Sequence, residues 1–323
     1  MWRFLRRLVL LLLLFAVVVL AGFRLAAVWR ESGAVAAPEH GRFVETASGR
    51  IFVLEYGPDD GMPILFAHGT AAWSELWRPT LKNVADQGFR AIAYDAPPFG
   101  YSDRLNVPYT RQSLAQVVLD LTNAMDIRPF LVAHSFGAGP GVEAVMMDQT
   151  RFSGLVVVDG AMALNSHNAP KTLPFILKSS FVRELAAAGT MNNPLLTRRL
   201  LAGLIHVKAA ATDGLAEMLA QPFQRSGTTQ AYASWLPALL ATPVDALSTR
   251  AENYETIMIP VVYMWGAEDT VTPLAQGEAL QRVTPGTELI VLAGVGHIPQ
   301  IEDPEAFQAA LINVLTTFRV EAE

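Results

Sequence analysis

The chain has 323 residues, a formal net charge of −6 and a positive mean hydropathy. It is long enough for one large α/β domain with an insertion, or for two small domains. Because it holds no cysteine, disulfides, thiolate zinc sites and cysteine nucleophiles are excluded. Residues 1–31 carry five arginines and one glutamate, a net charge of +4. Residues 32–323 therefore carry a net charge of −10. An acidic domain without a basic stripe is not expected to bind nucleic acid.

The N-terminal segment is the most apolar part of the chain. Three arginines precede a run from Leu8 to Trp29 in which Arg24 is the single charged residue. At 1.5 Å per residue the run can cross about 30 Å of hydrocarbon, and Trp2 and Trp29 bracket it as interfacial residues. We expect residues 1–31 to anchor the protein in a membrane, with Arg24 reaching the lipid headgroups. The leading arginines favour a cytoplasmic N-terminus, which puts the remaining domain on the extracytoplasmic side, the periplasm in a bacterium.

Two other interpretations of this segment stay open. A cleaved signal peptide also has a basic start, and Ala34-Val35-Ala36 offers a small-residue cleavage site, although the apolar core is long for that role. A buried core helix is the other, but a span that is apolar on all sides has no polar face to show to water. From Ser32 to Gly41 the chain is rich in Ala, Gly and Pro without periodicity, which predicts a linker over residues 32–41.

Beyond the linker, short apolar runs alternate with helical patterns. The runs predict strands at Arg42–Ala47, Ile51–Tyr56, Ile64–Ala67, Ala91–Tyr94, Phe130–Ala133, Leu155–Val158, Val261–Met264 and Leu289–Leu292. Helical periodicity predicts helices at about Leu76–Gln87, Ser113–Met125, Ala138–Met147, Pro273–Arg282 and Glu305–Phe318. Such alternation is typical of an α/β fold with a mostly parallel, doubly wound sheet, built here from residues 42–160 and 257–323.

One long stretch interrupts the alternation. Residues 161–256 are rich in Leu and Ala, have helical patterns and contain no clear strand. A structureless loop of this length is implausible in a compact domain. We therefore expect a helical cap laid over the sheet.

Three residues, each following an apolar run, carry the candidate chemistry. Ser135 lies in Ala133-His134-Ser135-Phe136-Gly137, between a predicted strand and helix, close to the elbow pattern G-x-S-x-G with Ala133 in place of the first glycine. Asp269 follows the run that begins at Val261, and His297 follows Gly294-Val295-Gly296. A serine hydroxyl is a poor nucleophile until a base takes its proton and an acid orients that base.

Each of these residues has an alternative interpretation. A serine before a helix is also a common N-cap, and a histidine between glycines is also a common surface residue. Asp159, after the run Leu155–Val158, competes with Asp269 for the role of the acid. The order nucleophile, acid, histidine favours a catalytic triad. A carboxylate on the loop after a late strand can reach the ring N–H of the histidine, so Ser135, Asp269 and His297 are the preferred set.

Together with these residues, the segments His68-Gly69-Thr70 and Tyr94–Asp103 make the chain resemble the α/β-hydrolase superfamily from about Phe43 to the C-terminus. The resemblance is to its capped branch, which includes esterases, C–C hydrolases, epoxide hydrolases and haloperoxidases. Members carry D-x-P-G-x-G-x-S in the second segment, where this chain has Pro98 in place of the first glycine. Epoxide hydrolases and haloalkane dehalogenases use aspartate as the nucleophile, so Ser135 argues against both activities.

The resemblance implies a carboxylesterase-like serine hydrolase that forms an acyl-enzyme on Ser135 and acts on a small acyl substrate. It implies an oxyanion hole from the backbone N–H groups of Thr70 and Phe136, and a structural role for His68. No metal or organic cofactor is implied, and no protein partner can be identified. The alternatives are a C–C bond hydrolase or a cofactor-free haloperoxidase with the same triad, or a non-catalytic binding protein of the same fold.

Overall fold

The structure, a computed structural model, describes residues 2–33 and 35–322. Ala34, the first residue of the small-residue site considered above, lies outside the described residues. Helix α1 (Trp2–Arg30) contains the whole predicted apolar span. It is long and apolar enough to cross a membrane, and its most apolar window is not buried inside the protein, unlike a core helix. Signal sequences pass the same test of length and composition.

The remaining elements alternate as predicted. The strands in the described residues are β1 (Arg42–Thr46), β2 (Gly49–Tyr56), β3 (Pro63–Ala67), β4 (Arg90–Tyr94), β5 (Phe130–His134), β6 (Gly154–Val158), β7 (Val261–Gly266) and β8 (Glu288–Leu292). The helices after α1 are α2 (Arg78–Asp86), α3 (Arg111–Ala124), α4 (Ala138–Met147), α5 (Ser180–Gly189), α6 (Pro194–Leu204), α7 (Asp213–Ala220), α8 (Thr228–Leu240), α9 (Leu274–Val283), α10 (Pro299–Glu302) and α11 (Pro304–Ala322). Each predicted strand is found within two residues of its expected ends.

The strands form one sheet in the order β1-β2-β4-β3-β5-β6-β7-β8. β1 and β2 pair antiparallel, β2 pairs antiparallel with β4, and the pairs from β4 through to β8 are parallel. The predicted mostly parallel, doubly wound fold is therefore confirmed. Because parallel strands share one carboxyl edge, the residues that follow β5, β6, β7 and β8 meet along it.

Helices cover both faces of this sheet. In β3, Ile64 and Phe66 pack in a core with α2 and α11, whereas Leu65 and Ala67 pack in a second core with α3 and α4. Successive side chains of a strand point to opposite faces, so a strand buried on both sides is continuously apolar. The predicted helix at Leu76–Gln87 starts later than expected, since a 3-10 helix over Ser74–Trp77 precedes α2.

Between β6 and β7, the described residues of segment 161–256, called the cap here, form α5 to α8 and short 3-10 helices but no strand. Two charged side chains of the sheet domain hold its ends, the partly buried Arg111 and the buried Glu143. Arg111 donates to the Met162 carbonyl (2.7 Å), and the Glu143 carboxylate accepts from the N–H groups of Leu247 (3.0 Å) and Ser248 (2.8 Å). Hydrogen bonds to a buried charge are strong, so both ends of the cap are fixed to the domain.

Aromatic packing joins the middle of the cap to the sheet domain. Phe99 lies 5.0 Å from Tyr232 and 4.9 Å from Trp235 between ring centres, and Trp235 lies 4.7 Å from Phe136. These edge-to-face contacts are a favourable arrangement for aromatic pairs. They bring α8 directly above the residue that follows Ser135.

The last three turns of α1 pack on the cap. Side chains of one helical stripe are buried or partly buried there, namely Leu20, Phe23, Arg24, Ala27, Arg30 and, just beyond the helix, Glu31. Arg24 pairs with Glu184 of α5 at 2.8 Å. Arg24 thus has a carboxylate partner on α5 that the sequence did not predict. Glu31 is 8% exposed and accepts hydrogen bonds from Asn192 Nδ2 and Thr229 N, both at 2.9 Å.

Candidate active site

Ser135 lies on a strained turn between β5 and α4. Its φ of +53° falls in the left-handed region, which residues other than glycine seldom adopt. The turn also requires close backbone approach: a Cβ on Gly137 would lie 2.4 Å from the His68 carbonyl oxygen. A Cβ on Gly69 would lie 2.9 Å from Ser135 Cβ. The two glycines thus let the loop after β3 lie against the serine.

The three residues predicted as a triad are brought together at the carboxyl edge of the sheet. Ser135 Oγ lies 2.7 Å from His297 Nε2, and His297 Nδ1 lies 2.8 Å from Asp269 Oδ2. Asp269 also accepts from the N–H groups of Val271 (2.7 Å) and Thr272 (3.0 Å) and from the Thr272 hydroxyl (2.7 Å). All three predicted residues are buried, so the pair His297–Asp269 is shielded from water.

The environment of Asp269 favours its ionised form. Burial acts to raise the pKa of its carboxyl, but the hydrogen bond and charge of His297 and the hydrogen bonds from Thr272 outweigh this and hold the pKa below its usual value. The carboxylate therefore stays negative beside the imidazole, as an orienting acid must.

Asp159 is the neighbour of this pair and is held differently. It follows β6 with a φ of +44°, and its Oδ1 accepts from the Gly266 N–H at 2.9 Å. Its Oδ2 is buried without a hydrogen-bond partner in the described part of the chain. Burial raises the pKa of this carboxyl well above its usual value; the Gly266 hydrogen bond opposes the rise and the Asp269 charge adds to it. The hydrogen bond of the His297 ring goes to Asp269.

A carboxylate oxygen of Asp159, a carboxylate oxygen of Asp269 and a ring nitrogen of His297 lie within 4.8 Å of one another. Carboxylates and imidazoles are also common ligands of metal ions. However, both ring nitrogens of His297 already face protein partners, Nδ1 the Asp269 carboxylate and Nε2 the Ser135 hydroxyl. The arrangement fits proton transfer between these groups better than metal ligation.

The two predicted oxyanion donors belong to segments that adjoin Ser135. Phe136 follows it directly, and Thr70 follows Gly69, whose backbone contacts the serine. Among residues 2–33 and 35–322, neither backbone N–H donates to a protein acceptor. Both groups are thus available to a ligand oxygen.

Two buried histidines position the loops of the site. His68 accepts the Ala96 N–H on Nε2 (2.9 Å) and donates from Nδ1 to the Gly69 carbonyl (2.8 Å). His134 donates from Nε2 to the His297 carbonyl (2.8 Å). Burial lowers the pKa of His68 to about 4, and burial together with the nearby His297 lowers the pKa of His134 to about 3. Both rings are therefore neutral, which the acceptor role of His68 Nε2 also requires.

A further buried acid, Glu302, was missed by the sequence analysis. Its carboxylate accepts the N–H groups on both sides of His297, those of Gly296 and Ile298, each at 3.0 Å. It also accepts the N–H groups of His206 (2.7 Å) and Val207 (2.8 Å) in the cap. Nothing in its local sequence separates it from a surface glutamate at the start of a helix, because all four donors are backbone groups.

The segment Tyr94–Asp103 forms a tight loop despite Pro98. The buried Asp95 carboxylate accepts the N–H groups of Ser74 (2.7 Å) and Tyr101 (2.6 Å), and burial raises its pKa to about 6, against the effect of these bonds. Gly100 has a φ of +57°, and a Cβ there would lie 2.0 Å from the Asp95 carboxylate. The loop carries Phe99 toward the cap.

An apolar pocket of about 210 Å³ lies between the site and the cap. Its walls come from α6, α7 and the two loops next to Ser135 and His297. The lining residues are Thr70, Ala71, Ala72, Leu76, Met191, Thr197, Leu200, Leu201, Leu204, Leu219, Phe223 and Ile298. None of them is charged. A larger open depression of about 810 Å³ lies around Asp103, Arg104 and Arg225, and no triad residue lines it.

Residues 62–304, about three quarters of the chain, match the family model of the alpha/beta hydrolase fold. The chain belongs to the α/β-hydrolase fold family. Its relatives include haloalkane dehalogenase 2 of Mycobacterium tuberculosis, 25% identical over 289 residues that cover 85% of this chain and 94% of that protein. The fold and the hydrolases among its relatives indicate an enzyme of the α/β-hydrolase type.

Solved structures of this α/β-hydrolase fold superpose over most of the chain. A meta-cleavage product hydrolase from Pseudomonas fluorescens IP01 has a TM-score of 0.72 at 23% identity and covers 88% of this chain and 99% of its own. The enol-lactonase from Burkholderia xenovorans LB400 has a TM-score of 0.69 at 19% identity and covers 85% and 100%. These likenesses establish the shared fold.

Proposed function

We propose that the protein is a serine hydrolase that cleaves an ester or related acyl bond. The observation that carries this proposal is the hydrogen-bonded series from Ser135 Oγ through His297 to the ionised Asp269, buried next to an apolar pocket. A nucleophile, a base and an orienting acid at these distances are the parts that acyl transfer needs.

In the proposed reaction His297 Nε2 takes the proton of Ser135 as Oγ attacks the substrate carbonyl. The N–H groups of Thr70 and Phe136 bind the oxyanion, a contribution of about 10²-fold or more per donor in other enzymes. His297 then protonates the leaving group, and an acyl group remains on Ser135. Water, deprotonated by the same histidine, releases the acyl group and restores the hydroxyl.

The pocket favours a substrate with an uncharged, apolar acyl group, which would lie under the cap. Its walls are mostly aliphatic, and a charged group placed there would lose hydration without gaining an ion partner. C–C bond hydrolysis of a charged substrate is therefore the weaker alternative. Haloalkane dehalogenation is disfavoured by the serine at position 135, and a cofactor-free haloperoxidase activity stays an alternative with the same triad.

We propose further that α1 anchors the protein in a membrane with the catalytic domain on the extracytoplasmic side. Three arginines at its start and its apolar length support this placement. Cleavage at Ala34–Ala36 would remove Arg24 and Glu31, both of which bond to the cap. The contacts of α1 therefore favour an anchor that stays attached over a signal peptide.

Labelling with a fluorophosphonate probe tests the nucleophile. Ser135→Ala should abolish labelling and lower kcat by several orders of magnitude, because only oxyanion and binding effects would remain. Ser234→Ala, at an exposed serine of α8, is the matched control and should label like the wild type. Turnover of acyl esters rather than vinylogous diketones would support the ester assignment. Labelling that persists in Ser135→Ala would contradict the proposal.

A further inference from the structure

The cap exposes large apolar side chains in one short segment, Lys171–Phe181. Phe175 is 85% exposed, Ile176 65% and Phe181 64%. Scattered single apolar residues are normal on a protein surface, but three large ones so close together mark a contact with a partner or a membrane.

The charges of the same segment are of one sign. It contains Lys171 and Lys178, and no acidic residue occurs between Asp159 and Glu184. Lys178 Nζ lies 5.8 Å from the centre of the Phe175 ring. Aromatic side chains next to lysines are the composition found at membrane interfaces, where lysines attract anionic headgroups.

This segment is held to α5 in a defined position. Arg183 donates from Nη1 to the carbonyl oxygens of Leu177 (2.8 Å) and Lys178 (2.9 Å), and from Nε to the Ala233 carbonyl (2.9 Å) of α8. The exposed side chains therefore project from a fixed base and not from a free loop.

The base of the segment adjoins the helix that we propose as the membrane anchor. Glu184 of α5 pairs with Arg24 of α1, and Phe181 lies one turn earlier on the same face of α5. The opposite side of α1 at this level stays apolar and open, with Leu25 70%, Val28 51% and Trp29 82% exposed. Exposed apolar side chains thus occur both on α1 at this level and on the adjoining cap segment.

α1 meets the cap within the length of apolar helix that a bilayer would cover. From Trp2 to Val19 the side chains that the structure describes are exposed, and contacts with the cap begin at Leu20. Residues 8–19, the part of the apolar run before these contacts, span about 18 Å at 1.5 Å each, less than the roughly 30 Å of the hydrocarbon core. If α1 crosses the core, the cap is therefore held against the membrane surface.

We propose that the Lys171–Phe181 segment docks on the bilayer that α1 enters. Phe175, Ile176 and Phe181 lie in the interfacial zone, and the two lysines contact anionic headgroups. This inference rests on the proposed anchoring by α1. The partner that covers the segment is the lipid surface itself. It predicts a preference for bilayers that contain anionic lipid.

The absence of cysteine allows a direct test with the full chain. Ile176→Cys carries an environment-sensitive fluorophore in vesicles of phosphatidylcholine with or without phosphatidylglycerol. We expect quenching by spin-labelled lipid, protection from aqueous iodide, and stronger protection when phosphatidylglycerol is present. Met258→Cys is the matched control, because Met258 is 83% exposed at the amino edge of the sheet, away from the cap, and should be quenched by iodide alone.

Leu12→Cys, in the exposed part of α1, reports on the anchor separately. Lipid quenching at positions 12 and 176 together supports the docked cap. Lipid quenching at position 12 with iodide quenching at position 176 overturns the docking and leaves the anchor intact; the segment would then be free for a protein partner. Iodide quenching at both positions overturns the anchor and the docking together.

Discussion

Replacing Glu302 by Gln is expected to weaken the fold and the reaction at the same time. The carboxylate accepts four backbone N–H groups, two that flank His297 and two in the cap. If the amide oxygen takes the position of Oε2, it keeps three bonds without their charge. The amide NH₂ then faces the N–H of Ile298, donor against donor.

The cost follows from these contacts. A hydrogen bond to a charged group contributes about 1.5–3 kcal/mol and a neutral one about 1 kcal/mol, so one lost and three weakened bonds cost on the order of 3–5 kcal/mol. For a chain of this size that lowers Tm by roughly 4–7 °C. A shift of His297 by about 1 Å should lower kcat on the order of 10²-fold.

The assay compares Tm and kcat for the full chain with those of Glu305→Gln. Glu305 is an exposed glutamate in the first turn of α11 and undergoes the same chemical change. It should leave both quantities unchanged. If Glu302→Gln unfolds at the wild-type temperature with wild-type kcat, the four hydrogen bonds do not hold the histidine loop in place.

Three further predictions concern the acids and the N-terminus. Asp269→Asn should lower kcat on the order of 10⁴-fold, while Asp159→Asn should cost far less; kinetics with the reverse order would make Asp159 the orienting acid. Because the pKa of Asp159 is raised in the fold, the wild type should lose stability as pH rises from about 4 through that pKa, and Asp159→Asn should lack this part of the loss when Tm is compared across pH. A chain that begins at Ala37 should be soluble, folded and active but less stable by about 2–4 kcal/mol in denaturant titrations, because the hydrogen bonds of Glu31 and Arg24 to the cap are lost. Unchanged stability would mean that the packing of α1 on the cap contributes nothing.

The order and kind of the elements were readable from the chain alone. Apolar runs between turn residues predicted the strands, and the alternation with helices predicted a mostly parallel sheet. These patterns reflect which faces of each element are buried, a property of neighbouring residues. The same local information pointed to Ser135, because a serine between an apolar strand and a small-residue helix is a short-range feature.

The choice among similar acids depended on tertiary structure. Asp159 and Asp269 both follow apolar strands, and those strands are neighbours in the sheet, so local sequence cannot tell which carboxylate reaches the histidine. Ser135 and His297 are 162 residues apart, and their contact arises only when β5 and β8 are aligned at one edge. Glu302 is a further case, since its partners are backbone groups that carry no residue identity.

The N-terminal segment shows the same division. Its length and hydropathy predicted a helix able to cross a bilayer. Its contacts with the cap were not predictable, because Glu31 and Thr229 are 198 residues apart and each looks like an ordinary polar residue in its own surroundings. Hydrophobic periodicity describes how one element meets its environment, whereas pairing between distant elements is decided by the shape of the folded chain.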